Sequence, residues 1–205
     1  MFTILQLRLH ERVIALKKEV EDQLKSDPTH IFDVELTYIT SRGNWYYASW
    51  KGDEEKSGGI ATNIGVHFFD MLHWIFGPVQ HQKVHVRSHD RASGVLSFKN
   101  ANVRWFLSIN AATLPETVVQ NGGRIHRSLC FDQWSFDFTE GFTELHSRSY
   151  AHILNDEGFS ERDAHAAISI VHGMRESQIS PLDSEAHPLA SLPQDLHPFY
   201  PIKES

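Results

Sequence analysis

Reactive side chains concentrate in one run, Gly58-Gly-Ile-Ala-Thr-Asn63-Ile-Gly-Val-His67-Phe-Phe-Asp70-Met-Leu-His73-Trp74. At about 100° per residue, Asn63, His67, Asp70 and Trp74 fall within roughly 60° of one another on a helix. Ile60, Ile64, Phe68, Met71, Leu72 and Ile75 form a separate apolar stripe, so a narrow polar stripe lies beside a core face. An imidazole titrates near neutrality and can take or give a proton at physiological pH, which makes His67 a candidate acid/base group. Gly58 and Gly59 leave the amide end of this helix open, and Gly65 permits close approach. The plainer alternative is a histidine hydrogen-bonded within a core and glycines that let helices pack.

A second candidate is the loop Ser41-Arg-Gly-Asn-Trp-Tyr-Tyr-Ala-Ser-Trp-Lys-Gly-Asp53. The faces of Trp45, Tyr46, Tyr47 and Trp50 can stack on sugars or bases, and Arg42 and Lys51 can meet a phosphate or carboxylate. The alternative is an aromatic minicore that pins a long loop. Fourteen histidines raise the question of metal. His81, His85 and His89 recur every fourth residue, but Val84 and Val86 set a period of two, so the segment reads as a strand. Three histidines on one strand face would span about 27 Å, too far for one ion, and no metal site is expected. Neither G-x-G-x-x-G nor G-x-x-x-x-G-K-[ST] occurs, so no cofactor site is expected in this chain alone. Gly122-Gly123 reads as a hairpin turn, and Cys130 as a small buried residue in mid-strand rather than a nucleophile.

The elements that must position these groups follow from periodicity. Leu9, Val13, Ile14, Leu16, Val20 and Leu24 have helical spacing within residues 5–24, and Ser26-Asp27-Pro28 stops that helix. From Ile31, Phe32, Val34, Leu36 and Tyr38 alternate with Asp33, Glu35 and Thr37, which predicts a strand. A helix over 60–76 ends at Gly77-Pro78. Alternating runs then predict strands at 83–87, 95–98, 103–110, 124–131 and 134–138. Helices are expected at 141–154 and 161–174, the second introduced by a capping box with Asp163 in place of the usual Glu. The order gives an α+β fold, with an open, largely antiparallel or mixed sheet and helices on one face. Residues 1–179 are expected to form one domain, with 1–25 as a helical lead-in. Residues 180–205, which hold five of the eight prolines, form an extended arm.

Composition narrows the partners. A length of 205 residues suits one good-sized domain, and a formal charge of −7 argues against nucleic acid or an anionic membrane. No apolar stretch approaches the roughly 18 residues of a membrane-spanning helix, and the amino terminus lacks a secretory pattern. One cysteine excludes an intrachain disulfide and fits a reducing cytoplasm. Large apolar residues stand on both faces of the predicted sheet: Val103, Trp105, Leu107 and Ile109 on one side, Phe106 on the other, with Trp134, Phe136 and Phe138 nearby. A homo-oligomer, dimer or tetramer, formed through the open sheet face is therefore expected. The alternative cover is the arm folding back.

At the Gly58–Trp74 stretch the sequence resembles the Gfo/Idh/MocA oxidoreductases. Their substrate domain carries G-G-x-x-x-D-x-G-x-H opening a helix, matched by Gly58, Gly59, Gly65 and His67, with Asn63 where most members have Asp. Trp50-Lys-Gly-Asp, Lys56-Ser-Gly-Gly, Arg104-Trp-Phe-Leu-Ser-Ile-Asn110 and Glu140-Gly-Phe-Thr-Glu-Leu-His146 look like one branch. It comprises the bacterial NAD-dependent UDP-N-acetyl-glucosaminuronate 3-dehydrogenases that supply lipopolysaccharide O-antigen. The resemblance implies a Gfo/Idh/MocA C-terminal-type fold. It also implies a Rossmann half with a glycine-rich NAD loop and a Glu-Lys-Pro lysine, neither of which stands before Met1. The chain is thus expected to be a substrate domain without its Rossmann domain, inactive alone and binding no NAD itself. By the resemblance, His67 is the base or its partner, and Asn63 positions a sugar-nucleotide substrate. The aromatic loop, with Arg42, Trp45, Tyr46, Trp50 and Lys51, shapes the pocket. The alternative is a non-catalytic sugar-nucleotide-binding or scaffold module.

Overall fold

The computed structural model describes residues 1–132, 134–138 and 144–199. The chain opens with β1 (Phe2–Thr3), a 3-10 turn at Gln6–Leu9 and α1 (Glu11–Ser26), then enters β2 (Phe32–Thr40). Two short helices, α2 (Asn44–Ala48) and α3 (Glu54–Ser57), punctuate the aromatic loop. A π-turn at Ala61–Gly65 leads into α4 (Val66–Phe76). Three strands follow, β3 (Val79–Arg87), β4 (Arg91–Phe98) and β5 (Ala101–Ser108), then α5 (Glu116–Gln120), β6 (Ile125–Phe131) and β7 (Trp134–Asp137). Helix α6 (Leu145–Leu154), β8 (Phe159–Ser160), α7 (Glu161–Glu176) and an arm with a 3-10 turn at Pro188–Ser191 complete the described chain.

Six strands form one sheet in the order β3-β4-β5-β2-β6-β7. Every neighbouring pair is antiparallel except β2 and β5, which run parallel with Leu36 beside Trp105. The sheet is mixed and the fold α+β, as the pattern predicts. Alternation sends Val34, Leu36, Trp105, Leu107 and Leu129 to one face, where they are fully buried with Phe69 and Leu72 of α4. Gly65 explains how closely this helix lies on the sheet. A Cβ there would come within 2.8 Å of Leu107 and 2.6 Å of Phe69, so the close approach serves packing. At α7, Ser160 and Asp163 form the expected capping box.

The opposite face is covered by the arm. His187 stacks on Phe106 at 5.4 Å between ring centres, and its Nε2 lies 3.0 Å from Thr37 Oγ1. Lys83 holds Asp183 and Glu185, His85 Nδ1 donates to the Pro181 carbonyl, and Arg91 donates to the Leu192 carbonyl. Phe106 is completely buried by this cover. The apolar outer face that suggested a second copy is therefore met, at Phe106, by the alternative cover.

Other expectations need correction. The helix over 5–24 is interrupted: His10 is extended at φ −75° and ψ 122°, so a 3-10 turn and a later α1 replace one continuous helix. Gly122-Gly123 is not a hairpin turn; it joins α5 to β6, which pairs with β2 and β7 rather than β5. Cys130 is half-buried on the outer face, its Sγ 3.6 Å from Ser135 Oγ, not enclosed. Of the helix expected over 141–154, residues 141–143 lie outside the described residues, as do the first four residues of Glu140–His146 and the side chains of Trp134 and Phe136.

Candidate functional site

A cleft of about 430 Å³ opens where the aromatic loop faces the start of α4. Five of the six proposed substrate residues line it: Arg42, Trp45, Tyr46, Lys51 and Asn63. His67 joins them. Trp50 does not; it is 56% exposed, with Lys51 Nζ 5.9 Å from its ring. The aromatic loop comes into position because the short α2 buries Tyr46 while leaving Trp45 exposed. Arg42 lies over the Trp45 ring at 5.9 Å. The loop is thus partly minicore and partly a wall of the cleft.

Asn63 sits within the π-turn, an uncommon element that recurs at functional sites. Its Nδ2 donates to Tyr46 Oη at 2.9 Å. Burial pushes the Tyr46 phenol up, so it keeps its hydrogen and can donate in turn. His67 is pushed below the usual imidazole range, first by burial and then by the nearby His146, against the opposing charge of Asp70. It is therefore neutral at physiological pH, the state a general base requires.

The sequence stripe grouped Asp70 and Trp74 with these residues, and the structure separates them. The wider π-turn shifts the phase of Asn63 relative to α4, and other elements claim the rest of the stripe. Arg8 Nε and Nη2 donate to Asp70 Oδ2 and Oδ1 at 2.9 and 2.7 Å, with both side chains buried. Arg8 also donates to the Asp163 carbonyl at 3.1 Å and lies 5.2 Å from the Phe159 ring, so it joins the lead-in, α4 and α7. Trp74 receives Lys17 of α1 over its ring at 5.1 Å.

Four polar cleft residues were not singled out as site residues by sequence reasoning: Gln6, Tyr38, Arg127 and His146. Tyr38 and Arg127 are register partners on β2 and β6, with the guanidinium 5.3 Å from the ring. The available signal is that Arg127 shares a strand face with Leu129 and Phe131, so its cation points inward. Arg42, Lys51 and Arg127 give the cleft three cations, and none of its described lining residues is a carboxylate. In a chain of net charge −7 this is a local reversal suited to an anionic ligand.

Residues 28–126 match the oxidoreductase family, C-terminal alpha/beta domain, of the Gfo/Idh/MocA group. Two structures of the WlbA (WbpB) dehydrogenase from Thermus thermophilus are similar to the chain at a TM-score of 0.85. The one with NAD and alpha-ketoglutarate is 43% identical, over 92% of this chain and 60% of that one. The one with NAD and UDP-GlcNAcA is 42% identical, over 92% and 59%. The WlbA dehydrogenase from Bordetella pertussis, in complex with NADH and UDP-GlcNAcA, shares the fold at a TM-score of 0.57 and 17% identity, over 82% of this chain and 59% of that one. The chain spans about 60% of the length of the Thermus relatives.

Proposed function

Because the chain belongs to the Gfo/Idh/MocA oxidoreductase family as its C-terminal α/β domain, we propose that it is the substrate domain of a sugar-nucleotide 3-dehydrogenase. UDP-N-acetyl-glucosaminuronate is the substrate we assign. The observation that carries this reading is the cleft itself, where a neutral imidazole stands among three cations without a lining carboxylate. Such a sugar nucleotide is anionic at its diphosphate and its uronate, and Arg42, Lys51 and Arg127 supply the matching charge.

In this reading His67 takes the proton of the sugar hydroxyl whose carbon is oxidised. Asn63 and Tyr46 hold that sugar by hydrogen bonds, since an amide can position but cannot serve as a base. NAD does not fit the described residues. They contain no glycine-rich strand-to-helix turn to receive a diphosphate, so no step is assigned here to a bound nucleotide. We place the protein in the cytoplasm on its single cysteine, and assign a second copy to the β6–β7 end of the outer face. His126, Ser128 and Cys130 are only half-buried there.

The test is complementation. The chain is mixed with the separately expressed dinucleotide-binding half of the Thermus relative, and nicotinamide reduction is followed with UDP-GlcNAcA. Turnover is expected, and His67→Asn should lower it by about 10²–10⁴-fold. Wild-type rates in that variant would move the proton transfer elsewhere. Binding without any turnover would favour the scaffold reading.

A further inference from the structure

A second cavity of about 470 Å³ adjoins the cleft, between α7 and the β3–β4 hairpin. Ile60, Val84, Val86, Ala92, Trp105 and Met174 make one part of its lining apolar, and Lys51, Arg87 and Arg175 line the rest together with the carboxylates of Asp53, Glu54 and Glu55. Trp105 is fully buried, and its indole N–H has no hydrogen-bond partner among the described residues. A buried donor left without a partner costs roughly 1–3 kcal/mol, so a wall that keeps one is suited to an acceptor brought by a ligand. Gly58 and Gly59, both at positive φ, and Lys51 also line the cavity. Lys51 makes no ion pair among the described residues, and it lines both this cavity and the cleft holding His67.

An apolar wall carrying one unused donor, continuous with a charged lining that includes Lys51, Arg87 and Arg175, has the chemistry of a nucleobase site beside a diphosphate. Building on the proposed function, we infer that this cavity seats the base of the nucleoside diphosphate sugar. The diphosphate crosses at Lys51 and the sugar lies at Asn63 and His67. The base carbonyl accepts from the Trp105 indole, and the apolar walls cover its two faces. The aromatic loop then serves as the bridge over the diphosphate, which accounts for a lysine shared between two cavities.

The test is an NMR titration of the intact chain, reading the Trp105 indole N–H and the His67 ring. The probes are UDP, UDP-GlcNAcA and free N-acetyl-glucosaminuronic acid. UDP and the sugar nucleotide should both move the Trp105 signal, whereas the free sugar acid should move only His67. Ala92→Leu, which fills the cavity, should weaken UDP about tenfold and leave the sugar acid unchanged. A sugar nucleotide that moves His67 but leaves Trp105 still would overturn the base site and leave the proposed function standing. Movement of neither signal would overturn both. The titration of the unsubstituted chain decides the matter even where Ala92→Leu fails to fold.

Discussion

With bonds of 2.7 and 2.9 Å from one guanidinium, the Asp70 carboxylate is committed to Arg8. It therefore acts on His67 only as a nearby charge, opposing the loss of the imidazole proton without touching a substrate. Replacing one member of a buried ion pair leaves the other charge uncompensated. Asp70→Asn should thus lower unfolding stability by about 3–5 kcal/mol in urea titration. His67→Asn, at a half-buried position making no ion pair among the described residues, should leave the urea midpoint nearly unchanged while removing turnover in the complemented system. Equal loss of stability in both variants would contradict this division of labour.

Helix α4 and the arm show what a local pattern can and cannot reveal. Gly65 stands where a methyl group would strike Leu107 and Phe69, so Gly65→Ala should cost about 1–3 kcal/mol and lower the melting temperature. In the arm, His187 Nδ1 accepts from the Leu189 N–H while Nε2 faces Thr37, an arrangement that demands a neutral ring. Burial, with Arg104 nearby, pushes its pKa down from 6.5 to about 3, and Glu35 Oε1 lies 3.7 Å away. The unfolded chain therefore takes up this proton first. The stabilisation is complete above pH 6.5 and shrinks as pH falls toward 3, by up to about 1.4 kcal/mol per unit. Urea melts at pH 7 and 5 should show this slope in the wild type and a shallower one in His187→Asn. Alternation within Phe32–Thr40 and Ala101–Ser108 was legible because it is a property of neighbours. The parallel pairing of those strands, the π-turn at Asn63 and the Arg8–Asp70 bond were not, because each depends on residues far away in sequence. The cleft was legible only where its residues came from one run or one loop; Arg127 and His146 arrive from elsewhere.

Across the whole molecule, the two faces of the sheet have different covers: helices on one side, and on the other an arm tied by Lys83, His85, Arg91 and His187. Among the described residues the arm leaves the β6 side of that face less covered, and the proposed second copy would add to the cover there. Light scattering at micromolar concentration should give at least twice the monomer mass, and removal of residues 180–205 should cause aggregation by baring Phe106. A monomeric mass would end the proposal of self-association. The lead-in carries a different consequence. Gln6 and Leu7, which form part of the cleft wall, directly precede an arginine whose partners lie 62 and 155 residues away along the chain. Contacts of such separation close late, because loop closure must precede the bonds that reward it. During refolding, secondary structure will therefore appear before the capacity to hold a ligand, and the two signals will report different rates. In the native state the same segment is buried and held at Arg8, so its amides should exchange slowly, and Asp70→Asn should release them ahead of those in the strands.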